Sequence, residues 1–259
     1  MEQTTLEVYA TEAGLLRSQI SDALGNSPDV ELTGTPIGLI VPDSNVLAGR
    51  FTSGAAYDSI AGRQFETVVV VSATKMDPFN RITICKHDSF DALLGPVHVN
   101  TAMREELCDE DDDIFIDNRG HFESTGLAVQ LPFLQSLLPE FSVLPIVMGN
   151  ESIAFCRELG NAIGEIIFNR RVLVVATFNI LRATESVLQE LRNAVESFNI
   201  EALVDLFTRN DELEVEGSGP FLVMLMATRH RRAQKVQVVH LSPPAFERPG
   251  TIAAVALQM

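Results

Sequence analysis

The sequence of 259 residues predicts a single α/β domain, with a largely parallel or mixed central sheet and helices on both faces. Three observations predict it. Five short runs rich in β-branched residues, Ile37–Val41, Val68–Ser72, Val143–Val147, Val172–Ala176 and Ile252–Leu257, lack polar alternation, as strands covered on both faces do. Helix-period segments separate them, and alternation of the two kinds of element builds layered α/β domains. A chain of this length buries a substantial core, and its 46% apolar and 21% charged content is that of a globular protein.

The elements follow in chain order. Ser53–Ile60 predicts a helix after the first strand, and Arg81–Cys85, with Ile82 and Ile84 alternating, predicts an edge hairpin after the second. Leu127–Leu138 predicts a helix before the third strand. Ser152–Phe168 predicts one after it, because Ile153, Cys156, Leu159, Ile163, Ile166 and Ile167 recur at roughly helical spacing. Thr184–Phe198 and Glu201–Phe207 are amphipathic, the second with Asn199 placed to accept from a first-turn amide. Pro220 lies just inside a helix running to about Arg232, where a missing N–H leaves no helical bond unmade. Val236–Leu241 is a further strand candidate. No internal repeat or low-complexity linker is present, and the loop marked by Pro243-Pro244 and Pro249-Gly250 is too short to divide domains, so residues 1–259 are expected to form one unit.

Charge excludes several classes of function. A net charge of −16 and a pI near 4.6 repel a polyphosphate backbone, whose binding relies on Lys and Arg displacing counterions, so no nucleic-acid role is expected. The basic cluster Arg229-His230-Arg231-Arg232 with Lys235 is expected to complement a helix dipole. The acidic run Asp109–Asp113 has oxygen ligands for a hard cation, but without the spacing and glycine of a calcium loop it reads as a solvated turn. Cys85, Cys108 and Cys156 form no CxxC pair, as expected of reduced thiols. The opening MEQTTLEVYATEAG has no basic stretch leading into an apolar one, so no secretion signal is expected, and no apolar run approaches the ~20 residues of a membrane span. A cytoplasmic protein without membrane contact is the expectation.

Three segments at strand ends carry a resemblance: GLIVPD at Gly38–Asp43, VVVVSATKM at Val68–Met76 and ESTGLAVQLPFLQ at Glu123–Gln135. Their order and spacing resemble the Memo family, whose fold is similar to that of the class III extradiol dioxygenases and whose motifs read approximately GLIVPHAGY, GPSHH and EHSxExQLPFLQ. The resemblance extends to an opening helix at Val8–Leu24, to LPIVMG at Leu144–Gly149, to VLVVATFNI at Val172–Ile180 where the family has VVSSDFSH, and to EGSGPF at Glu216–Phe221 where it has CGRxPI. The polar site positions all differ. Asp43 stands at the first ligand histidine, Lys75 and Met76 at the His-His pair, and Thr125 and Ala128 at the His and second Glu of EHSxE. Thr177 and Ile180 stand at the Asp and His of SSDFSH, and Glu216 and Ser218 at the Cys and Arg of CGRxPI. By the resemblance, Asp43, Lys75, Met76, Thr125, Thr177, Ile180 and Glu216 are vestigial cleft positions. No catalytic residue, metal ligand or cofactor carries over.

The remaining candidate groups point the same way. A non-haem iron or copper site needs imidazole, carboxylate or thiolate donors converging on one point, and the five histidines form no HxH or HxxxH pair. His121 reads as a loop histidine bonded to solvent. With LPFLQ in register Glu123 falls before the EHS triplet and reads as a surface or outlying acid; Ser124 and Ser218 have no histidine partner to act as base. Glu216–Gly219 has glycines but no P-loop lysine. If the resemblance holds, Asp43, Lys75 and Glu216 converge where a metal would sit, with the ammonium in place of the cation; three independently solvated residues are the alternative. The expected function is a Memo-like, non-catalytic binding or regulatory protein with an unknown protein partner or small ligand. The alternatives are a metal-dependent oxidoreductase or dioxygenase-like enzyme with relocated ligands such as Asp43, Glu216 and His121, and a structural subunit paired with an intact paralogue.

Overall fold

The computed structural model describes residues 10–28, 30–43, 46–110, 113–122, 125–246 and 248–259, with residues 46–50 and 109 described by backbone alone. Elements alternate from the start: α1 (Ala13–Gly25), β1 (Thr35–Val41), α2 (Val46–Asp58), β2 (Thr67–Ala73), β3 (Ile82–Ile84), β4 (Ser89–Ala92), β5 (Gly95–His98), α3 (Thr101–Glu110), β6 (Ile114–Ile116) and α4 (Gly126–Leu137). The second half adds β7 (Ser142–Met148), α5 (Ile153–Ile166), β8 (Val172–Thr177), β9 (Asn179–Arg182), α6 (Glu185–Glu196), α7 (Ile200–Arg209), β10 (Glu214–Glu216), α8 (Ser218–His230), β11 (Lys235–Ser242) and β12 (Thr251–Gln258).

Eight strands form one mixed sheet in the order β11-β12-β1-β8-β2-β7-β3-β6. Its centre is parallel: β1 with β8, β8 with β2, and β2 with β7. Antiparallel pairs extend it, β12 against β1 and β11 against β12 on one side and β3 against β7 on the other. The central runs lack polar alternation because both faces are covered. On β2, Val69 and Val71 join the core under α3, α5, α6, α7 and α8, whereas Val68 and Val70 join the core under α1, α2 and α4. Sheet and layers thus have the predicted form.

Caps and close approaches set the helix ends and crossings. Asn199 accepts from the Ala202 amide at 3.0 Å as expected, and Thr184 accepts from Val187 at the start of α6. The helix predicted from Ser53 begins at Val46, and Gly54 within it lies so near α1 that a Cβ there would meet the Ala23 carbonyl oxygen at 2.1 Å. That crossing requires glycine.

Four features differ from the sequence reading. Arg81–Cys85 forms no hairpin; Ile82–Ile84 pairs antiparallel with β7 and parallel with β6, and Thr83 is as buried as its isoleucine neighbours. The hairpin lies further on, as β4–β5, where Val97 and Val99 cover Leu131 of α4. Helix α3 and the short pair β9–β10 were not legible, being polar or only three to four residues long per strand. Finally, the opening helix begins at Ala13, and Val8 and Tyr9 of the predicted span lie outside the described residues, as do Asp111 and Asp112 of the acidic run.

Candidate functional site

Three neighbouring parallel strands, β1, β8 and β2, deliver polar residues to one edge of the sheet. Asp43 lies two residues past β1 and Lys75 two past β2, while β8 ends on Thr177 and leads at once into β9 at Asn179. The outside of the carboxyl ends is where open α/β sheets place their ligands. The β9–β10 pair brings in Glu216 opposite Asn179. Gly217 makes this approach possible: its φ is 84°, and a Cβ there would meet the Thr177 carbonyl oxygen at 2.3 Å.

Lys75 is the centre of the cluster. Its ammonium lies 3.2 Å from Asp43 Oδ2 and 3.1 Å from Glu216 Oε2. Thr125, at the head of α4, donates its hydroxyl to Asp43 Oδ1 at 2.7 Å, which leaves Oδ2 for the lysine. Asn179 completes the frame. Its Nδ2 donates to the Asp43 carbonyl at 3.1 Å and to Glu216 Oε2 at 3.4 Å, and its Oδ1 accepts from the Asp43 amide at 3.2 Å. Burial falls off across the cluster, from 4% exposure for the Asp43 side chain to 27% for Lys75 and 42% for Glu216. Burial draws the lysine pKa down, but the charges of Asp43 and Glu216 together outweigh it and hold the pKa above its ordinary value. The ammonium is retained.

The remaining positions divide. Thr177 is buried, and its hydroxyl has no partner among the described residues. Odd-numbered residues of β8 face the α1, α2 and α4 layer, the side from which Thr125 reaches Asp43. Met76 lies half-exposed at the rim, whereas Ile180 is fully buried in the core under α8 and exchanges main-chain bonds with Gly250. Ala128 is exposed. Ser218 donates to Glu151 Oε2 at 3.2 Å, and the Gly219 amide donates to the same oxygen at 2.7 Å, so Glu151 is the anion at the positive end of α8. Asn179 and Glu151 were missed from the sequence. Asn179 lies within the VLVVATFNI segment, next to Ile180, and Glu151 lies two residues past LPIVMG; only the pairing of β9 with β10 shows what Asn179 holds.

The histidines lie elsewhere. His121 is partly buried: its Nε2 lies 3.2 Å from the Thr83 carbonyl, a partner the sequence did not suggest, and burial lowers its pKa from 6.5 to about 4. His87 packs edge-on to Phe122, His230 pairs with Glu165, and His240 shares a bond with Thr52. Glu123 and Ser124 lie outside the described residues. In the basic cluster, Arg229 and His230 end α8, Arg231 donates to the carbonyls of Val172 and Arg170, and Arg229 to that of Phe198. Burial pushes the Cys156 thiol up to about 12, and none of the three cysteines is in a disulfide. No helix among the described residues is long and apolar enough to cross a membrane.

A mixed sheet with helices on both faces and a polar cluster beyond its parallel strand ends defines an α/β protein with a charged site at one sheet edge. Residues 6–245 match the family model described as Memo-like protein, and the chain belongs to that family. A MEMO1 family protein of Nitrosopumilus maritimus is 24% identical over 173 residues, 66% of this chain and 63% of that protein. One of Thermoplasma acidophilum is 26% identical over 140 residues, 54% of this chain and 52% of that protein. The matches thus span between half and two thirds of those two relatives. A third, from Methanocaldococcus jannaschii, is 24% identical over 220 residues, 79% of this chain and 76% of that protein. The crystal structure of an uncharacterized protein from Escherichia coli K12 shares the fold, with TM-score 0.56 and 13% identity over 85% of this chain and 98% of that one.

A transition metal of the kind the family resemblance implies does not fit this cleft. Its donors are two carboxylates, a hydroxyl and an amide, with no imidazole or thiolate, and an ammonium stands between the carboxylates. Among the described residues no three or more His, Cys, Asp or Glu converge as metal ligands, so the set Asp43, Glu216 and His121 is not assembled.

Proposed function

We propose that this chain is a binding or regulatory protein of the Memo-like family that carries out no metal-dependent chemistry. One observation carries the reading. The Lys75 ammonium lies within 3.2 Å of both Asp43 and Glu216, and so supplies from the chain itself the positive charge that two facing carboxylates need. Asp43, Lys75, Thr125 and Glu216, with Thr177 below and Met76 at the rim, are on this reading the remains of a ligand cleft, and Ile180 has become core. A protein segment or a small ligand approaching the exposed Glu216 side would be the binding partner, and an intact paralogue is a further candidate. Three cysteines without a disulfide support a reducing compartment such as the cytoplasm.

The test is elemental analysis of protein purified without chelators, before and after incubation with iron(II) or copper(I), with oxygen consumption measured on catechol-type substrates. Less than stoichiometric metal and no consumption are expected. One tightly bound equivalent of iron or copper, lost on Asp43→Ala or Glu216→Ala, would overturn the reading in favour of an enzyme with relocated ligands.

A further inference from the structure

Helices α5 and α7 both rest on α8 and leave between them a groove of about 680 Å³, which shares no residue with the strand-end cluster. We infer that this groove docks an amphipathic helical segment of another protein, with an apolar stripe, carboxylates along the flank that meets Arg157 and Arg229, and basic side chains along the other flank.

Two glycines of α5 build the floor. A Cβ at Gly160 would lie 2.7 Å from Met226 Cβ, and one at Gly164 would lie 2.6 Å from His230 Cβ, so glycine at both positions lets α8 come close enough for Met226 to lie in the groove. Ile153 of α5 and Ile200 and Val204 of α7 complete the apolar lining. Ile153, Val204 and Met226 pack on the core with one side and remain half-exposed on the other. Length follows from spacing: Ile153, Arg157 and Asn161 line one wall at four-residue intervals, a rise of about 12 Å along α5. A helix that presents apolar side chains at three- and four-residue intervals spans such a wall.

Charge sets the partner. In a chain of net charge −16, Arg157 has no ion-pair partner among the described residues, and Arg229 is held without being neutralised: its guanidinium stacks on the Phe198 ring at 4.4 Å and donates to the Phe198 carbonyl. These two cations make one rim attractive to carboxylates on a protein that otherwise repels them. The opposite wall has the other sign. Glu201 has no ion-pair partner among the described residues, and Asp205 has only an exposed contact with Arg209 at 3.3 Å. The walls together select a helix with flanks of opposite charge and disfavour one that is acidic on both. A second copy of this chain fits less well, because two concave floors facing each other leave their apolar side chains apart.

The test uses the full chain and a fluorescein-labelled peptide of about 14 residues, roughly four turns, with a leucine stripe, glutamates on one flank and lysines on the other. A side-chain bridge keeps it helical, since isolated helices this short are marginal. Saturable binding by anisotropy is expected for wild type, with slowed amide exchange in α5 and α7. Arg157 is exposed, so Arg157→Glu should fold, and it should weaken binding at least about tenfold. Replacing the leucines by serine, or placing glutamates on both flanks, should weaken it as much. A peptide with lysines on both flanks should prefer Arg157→Glu to wild type. Arg17→Glu, the same charge change on exposed α1, should leave binding within about twofold. No saturable binding to wild type, or binding that Arg157→Glu weakens by less than tenfold, overturns the inference. A wild-type dimer in sedimentation that Arg157→Glu dissociates also overturns it and gives the groove to a second copy. None of these outcomes bears on the non-catalytic reading of the strand-end cluster, which elemental analysis tests separately.

Discussion

Asn179 holds Asp43 by its main chain from both sides, donating to the carbonyl at 3.1 Å and accepting from the amide at 3.2 Å, across 136 residues of sequence. The pair fixes the turn after β1 against the start of β9. Asn179→Ala would leave two buried main-chain groups unpaired, and each such group costs about 1–3 kcal/mol. A loss of about 2 kcal/mol or more in urea unfolding is therefore expected. A change below about 0.5 kcal/mol, the range of neutral surface substitutions, would mean that the two groups find other partners.

Lys75→Met should also destabilise, but by less than a fully buried charge pair. Breaking a buried pair costs about 3–5 kcal/mol and exposed pairs are worth about 0–1; with Asp43 buried and Glu216 at the rim, about 1–3 kcal/mol is expected. The deficit should shrink as pH falls, because protonation removes the repulsion between the two orphaned acids. Wild type has the opposite dependence at alkaline pH. The lysine pKa is raised above 10.5 in the folded state, so its stabilisation is present below that value and is lost as pH rises through the folded pKa. Lys75→Met should lack that alkaline loss. A triple apolar replacement of Asp43, Lys75 and Glu216 should be tolerated better than the single change, and thermal unfolding from pH 4 to 11 measures all of these effects.

His121 gives the acid-side counterpart. Because a carbonyl only accepts, its neutral ring carries the proton on Nε2 towards Thr83. Burial depresses its pKa to about 4, so the unfolded chain takes up this proton first, and the associated stability is full above pH 6.5 and declines as pH falls towards 4. His121→Gln should therefore differ most from wild type at pH 7 and least near pH 4.5. A ring titration by NMR with a midpoint near 6.5 would contradict the buried placement.

The LPFLQ helix provides a stability prediction independent of charge. Phe133 is fully buried and stacks on Tyr57 at 4.9 Å between ring centres, and the Tyr57 hydroxyl donates to Gln130, whose amide donates to the Pro42 carbonyl just before Asp43. Phe133→Ala should cost about 3–5 kcal/mol and Leu131→Ala about 2–5. Tyr57→Phe should cost about 1–2 kcal/mol, because it leaves a buried amide oxygen unpaired. Chemical denaturation of the three variants is the measurement.

The central sheet was legible because burial on both faces writes itself into unbroken apolar runs, and all six predicted strands other than Arg81–Cys85 match observed ones to within two residues at either end. Short polar elements leave no such trace. Asn179–Arg182 and Glu214–Glu216 owe their pairing to Gly217 and to the turn after β8, which no periodicity marks. In the site, the convergence of Asp43, Lys75 and Glu216 was implied by the family resemblance; strand-end position accounts for Asp43 and Lys75, whereas Glu216 arrives on β10 of a separate two-stranded sheet. Asn179 was not, because its role depends on both ends of one amide meeting main-chain groups distant in sequence. The bond from His121 to the Thr83 carbonyl was not legible either, because it joins residues 38 apart with no motif between them.

The bonds around Asn179 and Lys75 have a dynamic consequence. They join the turns after β1 and β2, the head of β9 and the entry to α8 by bonds that reach across up to 141 residues and through shared atoms: Glu216 Oε2 accepts from both side chains. No one turn can swing away without breaking bonds belonging to the others. Amide hydrogens around this edge, including that of Asp43, should then exchange with solvent in a single opening event at one common free energy, where unlinked segments would each exchange at a rate of their own.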